Sequence, residues 1–117
     1  MNIEDYREFC LGLKGVTEDF PFDEQTLVFK VMGKMFSLAD VDDFESINLK
    51  CDPDKALEMR EQFPGVKPGY HMNKKHWNTV MVNAGIPDTL LKQWTRDSYD
   101  LVVAGLSRKL KDELARL

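Results

Sequence analysis

Thr26-Leu27-Val28-Phe29-Lys30-Val31, then Met32-Gly33, then Lys34-Met35-Phe36-Ser37-Leu38-Ala39: two runs of β-branched, aromatic and apolar residues flank a two-residue break that ends in glycine. This reads as an antiparallel hairpin, because a two-residue turn needs positive φ and Gly33 supplies it without steric cost. The hairpin puts an antiparallel sheet at the centre of the fold. Past an acidic loop from Asp40 to Glu45, Ser46-Ile47-Asn48-Leu49-Lys50 alternates polar with apolar residues and adds a third strand. Before the hairpin, Val16 to Gln25 is acidic and holds Phe20-Pro21-Phe22. The proline there permits an edge strand or extended connection and argues against a central strand.

Helices are expected on both sides of this sheet sequence. Ile3, Tyr6, Phe9, Cys10 and Leu13 fall on one helical face, with Asn2 as cap, Asp5 three residues on, and Gly12 and Gly15 as the stop. Asp52-Pro53 starts a second helix whose Ala56, Leu57, Met59 and Phe63 form the buried side, and Pro64-Gly65 ends it. Val66 to Met72 reads as a short strand and His76 to Val82 as another, making a second hairpin. Asp88 is the expected cap of a helix carrying Leu90, Leu91 and Trp94, continued by Leu101, Val102, Leu106, Leu110 and Leu114 and broken near Gly105-Leu106-Ser107. The order α-β(3)-α-β(1-2)-α(α) predicts an α+β two-layer sandwich, one domain over 1–117, with its helices on one face of an antiparallel sheet.

Composition sets the function classes in play. A chain of 117 residues with 43% hydrophobic and 31% charged side chains can bury a single core, and it is neither a disordered polyelectrolyte nor a fibrous repeat. The formal net charge of -4 argues against indiscriminate coating of nucleic acid or membrane. Cys10 and Cys51 have no close-spaced partners, so no disulfide framework is expected. Without a basic leader or an apolar run near the roughly 18 residues of a span, the expected location is the cytoplasm, with no membrane contact.

The most unusual local feature is a run from Gln62 to Pro87 without aspartate or glutamate. Inside it stands Lys67-Pro68-Gly69-Tyr70-His71-Met72-Asn73-Lys74-Lys75-His76-Trp77. Lysines, amide donors and flat rings together suit phosphate contact and stacking; the competing reading puts Trp77 and Tyr70 in the core and leaves the lysines to solvate a turn. His71 and His76 lack a nearby acid or cysteine to complete a zinc set. An EF-hand begun at Asp40 would need glycine at Glu45 and glutamate at Cys51, so Asp40 to Glu45 reads as a solvated acidic turn. Neither a G-x-x-x-x-G-K-[ST] nor a G-x-G-x-x-G loop occurs, and no nucleophile, base and oxyanion set can be assembled. Lys30 and Lys34 flank the first hairpin turn, and Arg108, Lys109 and Lys111 cluster near the C-terminus.

The segment Pro68 to Val80, with its His-x-Asn-Lys-x-His-Trp core, resembles the MmcQ/YjbR family of small bacterial proteins. Cys10 to Gly15, Phe29-Lys30-Val31 with Lys34-Met35-Phe36, and Asp97 to Val102 extend the resemblance over nearly the whole chain. It implies a domain similar to the secretion-chaperone fold, also described as CyaY-like with a double-wing arrangement, and a DNA-binding role. Carried onto this chain, that role falls to His71, Asn73, Lys74, Lys75, His76 and Trp77, with Lys67 and the Lys30 and Lys34 wing. No enzyme activity, cofactor or metal is expected, and binding to DNA should be modest and steeply salt-dependent. The alternative from the same resemblance is a protein-interaction module that holds a partner segment, as a monomer or weak homodimer. An iron-related role through Glu4, Asp5 and Glu8 is less simple than a solvated helix face.

Overall fold

A computed structural model of the chain describes residues 1–70 and 72–117. The elements are α1 (Ile3–Leu11), β1 (Val16–Asp19), β2 (Thr26–Val31), β3 (Lys34–Asp40), β4 (Ser46–Lys50), α2 (Pro53–Gln62), β5 (Val66–Pro68), β6 (Trp77–Met81), α3 (Asp88–Ala104) and α4 (Arg108–Ala115). The strands form one antiparallel sheet in the order β1-β2-β3-β4-β6-β5. The architecture is α+β, as expected.

Local chemistry accounts for most boundaries. Asn2 Oδ1 accepts the Asp5 N–H at 2.8 Å and opens α1, and Asp52 accepts from the Lys55 N–H with Pro53 at the first helical position of α2. The β2–β3 turn takes positive φ at both Met32 (50°) and Gly33 (83°), the geometry whose twist matches the flanking strands. Ser107 caps α4 by accepting the Leu110 N–H.

Four readings of the sequence change. Val16–Asp19 takes the edge-strand alternative, so four strands and not the expected three separate α1 from α2. Val66–Pro68 is shorter than the expected strand. Leu57, assigned to the buried side of α2, is 56% exposed: Ala56 and Met59 are the buried positions of that helix. Asp88 is the first residue of α3 and not its cap; its carboxylate pairs with the Met1 ammonium at 3.3 Å.

All four helices contribute to one core on one face of the sheet, with Phe29, Phe36, Ile47 and Val80 meeting Tyr6, Leu91, Trp94, Tyr99, Val102 and Leu114. A slip of register between Phe29 and Lys30 leaves Phe36 as the extra residue of β3. Phe36 then packs edge-on against Tyr99, and Ser37 bonds the Tyr6 hydroxyl at 2.6 Å. Thr95 gives its own proton to the Leu91 carbonyl, so it accepts from Tyr6, which in turn accepts from Ser37. This buried polar chain is satisfied at each step. The opposite face carries a smaller cluster of Val28, Leu38 and Trp77, packed by Met35 and Met72.

Candidate functional site

The register decides which lysines share an end of the sheet. β3 begins at Lys34, β4 ends at Lys50 and β6 begins at Trp77, opposite Lys50, so all three lie at one end of the sheet. There Lys34, Lys50 and Trp77 line a cleft of about 290 Å³ with Leu101 of α3 and Gly105, which caps that helix. The Asn73–His76 turn leads directly into β6, and the His76 carbonyl accepts the Cys51 N–H at 2.7 Å. The other end of the sheet carries Asp40, the last residue of β3, and in its loops Asp23, Glu24, Asp42, Asp43 and Glu45. The fold thus separates a basic end from an acidic one, although the chain as a whole is acidic.

Within the basic end, backbone and side-chain bonds fix the turn. Asn73 Oδ1 accepts the Lys75 N–H at 2.9 Å, and the Asn73 carbonyl accepts from His76 and Trp77. The Lys74 ammonium donates to the Gly69 carbonyl at 3.2 Å and retains its charge for a further acceptor. Among the described residues no carboxylate pairs with Lys34, Lys74 or Lys75. Asp52 is the one acid in the linker at this end, and it is occupied as the cap of α2.

The other candidates are placed differently. Trp77 is 8% exposed and lies against Val28 and Leu38, so its ring serves the sheet and not a stacking surface. Lys30 is ion-paired with Asp19 at 3.3 Å. Lys67 sits on edge strand β5 beside Glu45, Met81 and Asn83, away from the basic turns. His71 lies outside the described residues. Among those described, no three His, Cys, Asp or Glu side chains converge as a metal would require.

Reasoning from sequence overlooked Arg60. Its Nε donates to Asn78 Oδ1 at 2.7 Å, while Nη2 donates to the carbonyls of Lys74 and Trp77. Asn78, 1% exposed, also donates to the Ala56 carbonyl at 3.4 Å. One guanidinium therefore ties α2, the basic turn and the start of β6 together. Beside it, a cleft of about 190 Å³ between α2 and α3 holds Cys51, whose Sγ is 3.7 Å from Met59 Sδ. Burial pushes that thiol up, which leaves it protonated and a poor nucleophile at neutral pH.

Comparison with known proteins places this geometry. The YjbR family model matches residues 11–101. The chain belongs to the MmcQ/YjbR family. Its curated relatives include YbdF of Escherichia coli O157:H7, 41% identical over 107 residues that cover 91% of this chain and 88% of that protein. YjbR of Escherichia coli K12 is 27% identical over the full length of both chains. A crystal structure of a Deinococcus radiodurans protein superposes with a TM-score of 0.89 at 40% identity, covering 97% of this chain and 88% of that one. A Pseudomonas syringae protein shares the fold at 24% identity, with a TM-score of 0.73 over 86% of this chain and 98% of its own. The family match spans both basic turns and Arg60, which braces the second of them. No helix among the described residues is long and apolar enough to cross a membrane.

Proposed function

We propose that this MmcQ/YjbR domain is a non-catalytic binding module that takes the phosphate backbone of duplex DNA at its basic end. One observation carries the reading: the β2–β3 tip with Lys34 and the Asn73–His76 turn with Lys74 and Lys75 project from the same end of the sheet, opposite the acidic loops. Two separated basic turns on a rigid sheet suit a backbone contact on either side of a groove. The acidic end would keep the duplex from engaging the domain in the reverse orientation. Trp77 is buried against Val28 and Leu38, so contacts fall to phosphate and not to stacked bases. With about three phosphates neutralised, the logarithmic salt slope should be close to -2.7, and affinity modest against the net charge of -4.

Binding to a labelled duplex across a salt series tests this, using the wild type, Lys34→Ala and the Lys74→Ala/Lys75→Ala pair. Each lysine removed should flatten the slope by about 0.9. Absence of binding at low salt, or a slope that the substitutions leave unchanged, would remove DNA from this domain's partners.

A further inference from the structure

The sheet face that the helices leave uncovered bears a groove of about 480 Å³, within the size range of small-ligand sites. Leu38 and Asn48 line it from β3 and β4. Phe22, from the β1–β2 loop, and Tyr70, from the β5–β6 loop, also line it and are 65% and 70% exposed. Asp23 and Asp40 are the acidic residues of the lining. Asp23 Oδ1 accepts the Gln25 and Thr26 N–H groups at 2.8 and 2.6 Å, and these donors hold its carboxyl below the ordinary value. Asp40 Oδ1 accepts the Asp42 N–H at 2.9 Å. Both carboxylates are therefore fixed by backbone, and no lysine or arginine among the described residues lines the groove or pairs with them.

Ring faces beside uncompensated carboxylates attract an organic cation: the rings act through their quadrupoles and the acids through charge and hydrogen bonding. We propose that this groove is a second binding site, for the cationic end of an alkylguanidinium or alkylammonium group. Phe22 and Tyr70 flank the cation and the start of its alkyl stem, and the Asp40 and Asp23 carboxylates take its N–H donors. The charge is opposite to that of a phosphate, so this site stands or falls apart from the basic end.

The test is titration with n-propylguanidinium chloride at constant chloride, beside its uncharged counterpart n-propylurea, followed through the amide chemical shifts of Thr26, Leu38, Asp40 and Asn48. The expected result is saturable shifts at those residues with the cation alone. Asp40→Asn, which keeps an acceptor for the Asp42 N–H, and Phe22→Ala, at an exposed position, should each weaken binding tenfold or more. A capped peptide with a single arginine forms a third arm: tighter binding than the free cation assigns the site to a polypeptide side chain, and weaker binding assigns it to a small molecule. Equal shifts with the urea, no saturation with the cation, or unchanged binding in both variants would overturn the proposal.

Discussion

Arg60 donates from Nε to Asn78 Oδ1 at 2.7 Å, joining the last turn of α2 to the second residue of β6. The same guanidinium donates to the carbonyls of Lys74 and Trp77, so it fixes the distance between the basic turn and the sheet. Lysine has the charge but lacks the planar fork that serves several acceptors at once.

Arg60→Met should accordingly destabilise the domain by about 1–3 kcal/mol, because Asn78 Oδ1 is left without its donor in a buried position. Arg60→Lys should recover only part of that loss. Urea unfolding of the three proteins measures it. Equal midpoints for wild type and Arg60→Met would show that the network contributes nothing to stability.

Ser98 offers a second test of how the helices hold the sheet. Its hydroxyl donates to the Phe36 carbonyl at 2.6 Å and accepts the Lys50 N–H at 2.9 Å, bridging β3 and β4 beyond their last paired residues, Ser37 and Leu49. Ser98→Ala removes the partner of both groups while leaving α3 free to form, and should cost about 2–4 kcal/mol. Amide exchange at Lys50 should accelerate more than exchange at Ile47, which lies within the paired ladder. Uniform acceleration would mean that Ser98 acts only through global stability.

How legible these features were follows from how local their causes are. The β2–β3 hairpin, the Asn2 and Asp52 caps and the alternation of β4 rest on neighbours in sequence, and each stands where the pattern put it. Val16–Asp19 carries only one strongly apolar residue and becomes a strand because β2 offers it an edge, which the segment itself does not announce. Leu57 has the right residue type but the wrong helical phase: Ala56 and Met59 set the buried stripe three residues apart. The Arg60 network was hidden because its acceptors lie 14 to 18 positions away, and a lone arginine on a polar helix reads as solvated. Trp77 sat in a motif rich in lysine and amide groups, yet the unhelical face of the sheet needed a large ring over Val28 and Leu38.

Lys30 provides an internal control for the DNA reading. Its pairing with Asp19 at 3.3 Å offsets its charge near the tip that carries Lys34. Asp19→Asn should strengthen duplex binding by about twofold to fivefold at low salt, with the gain vanishing as added salt screens it. Lys67→Ala, on the far edge strand, should change affinity less than Lys34→Ala does. Duplex titration at two salt concentrations gives both comparisons, and an Asp19→Asn variant that binds no tighter would detach the β2–β3 wing from the interface.

Stability should fall on the alkaline side, and Cys10 supplies part of the reason. Burial pushes its thiol up to about 12, with the Tyr6 hydrogen bond opposing and Glu18 adding to the rise. A thiol in the unfolded chain ionises near 8.5, so between about pH 8.5 and 12 the unfolded state releases a proton that the folded state keeps. Stability from this group is therefore complete below pH 8.5 and is lost as pH rises, at up to about 1.4 kcal/mol per pH unit. Tyr6, raised well above its ordinary value chiefly by burial, acts in the same direction from about pH 10 upward. Cys10→Ala should cost some stability at pH 7 through lost packing, yet show a shallower decline from pH 9 to pH 11 than the wild type. Urea midpoints at pH 7, 9, 10 and 11 for the two proteins separate these effects, and parallel declines would mean that the Cys10 proton is not linked to folding.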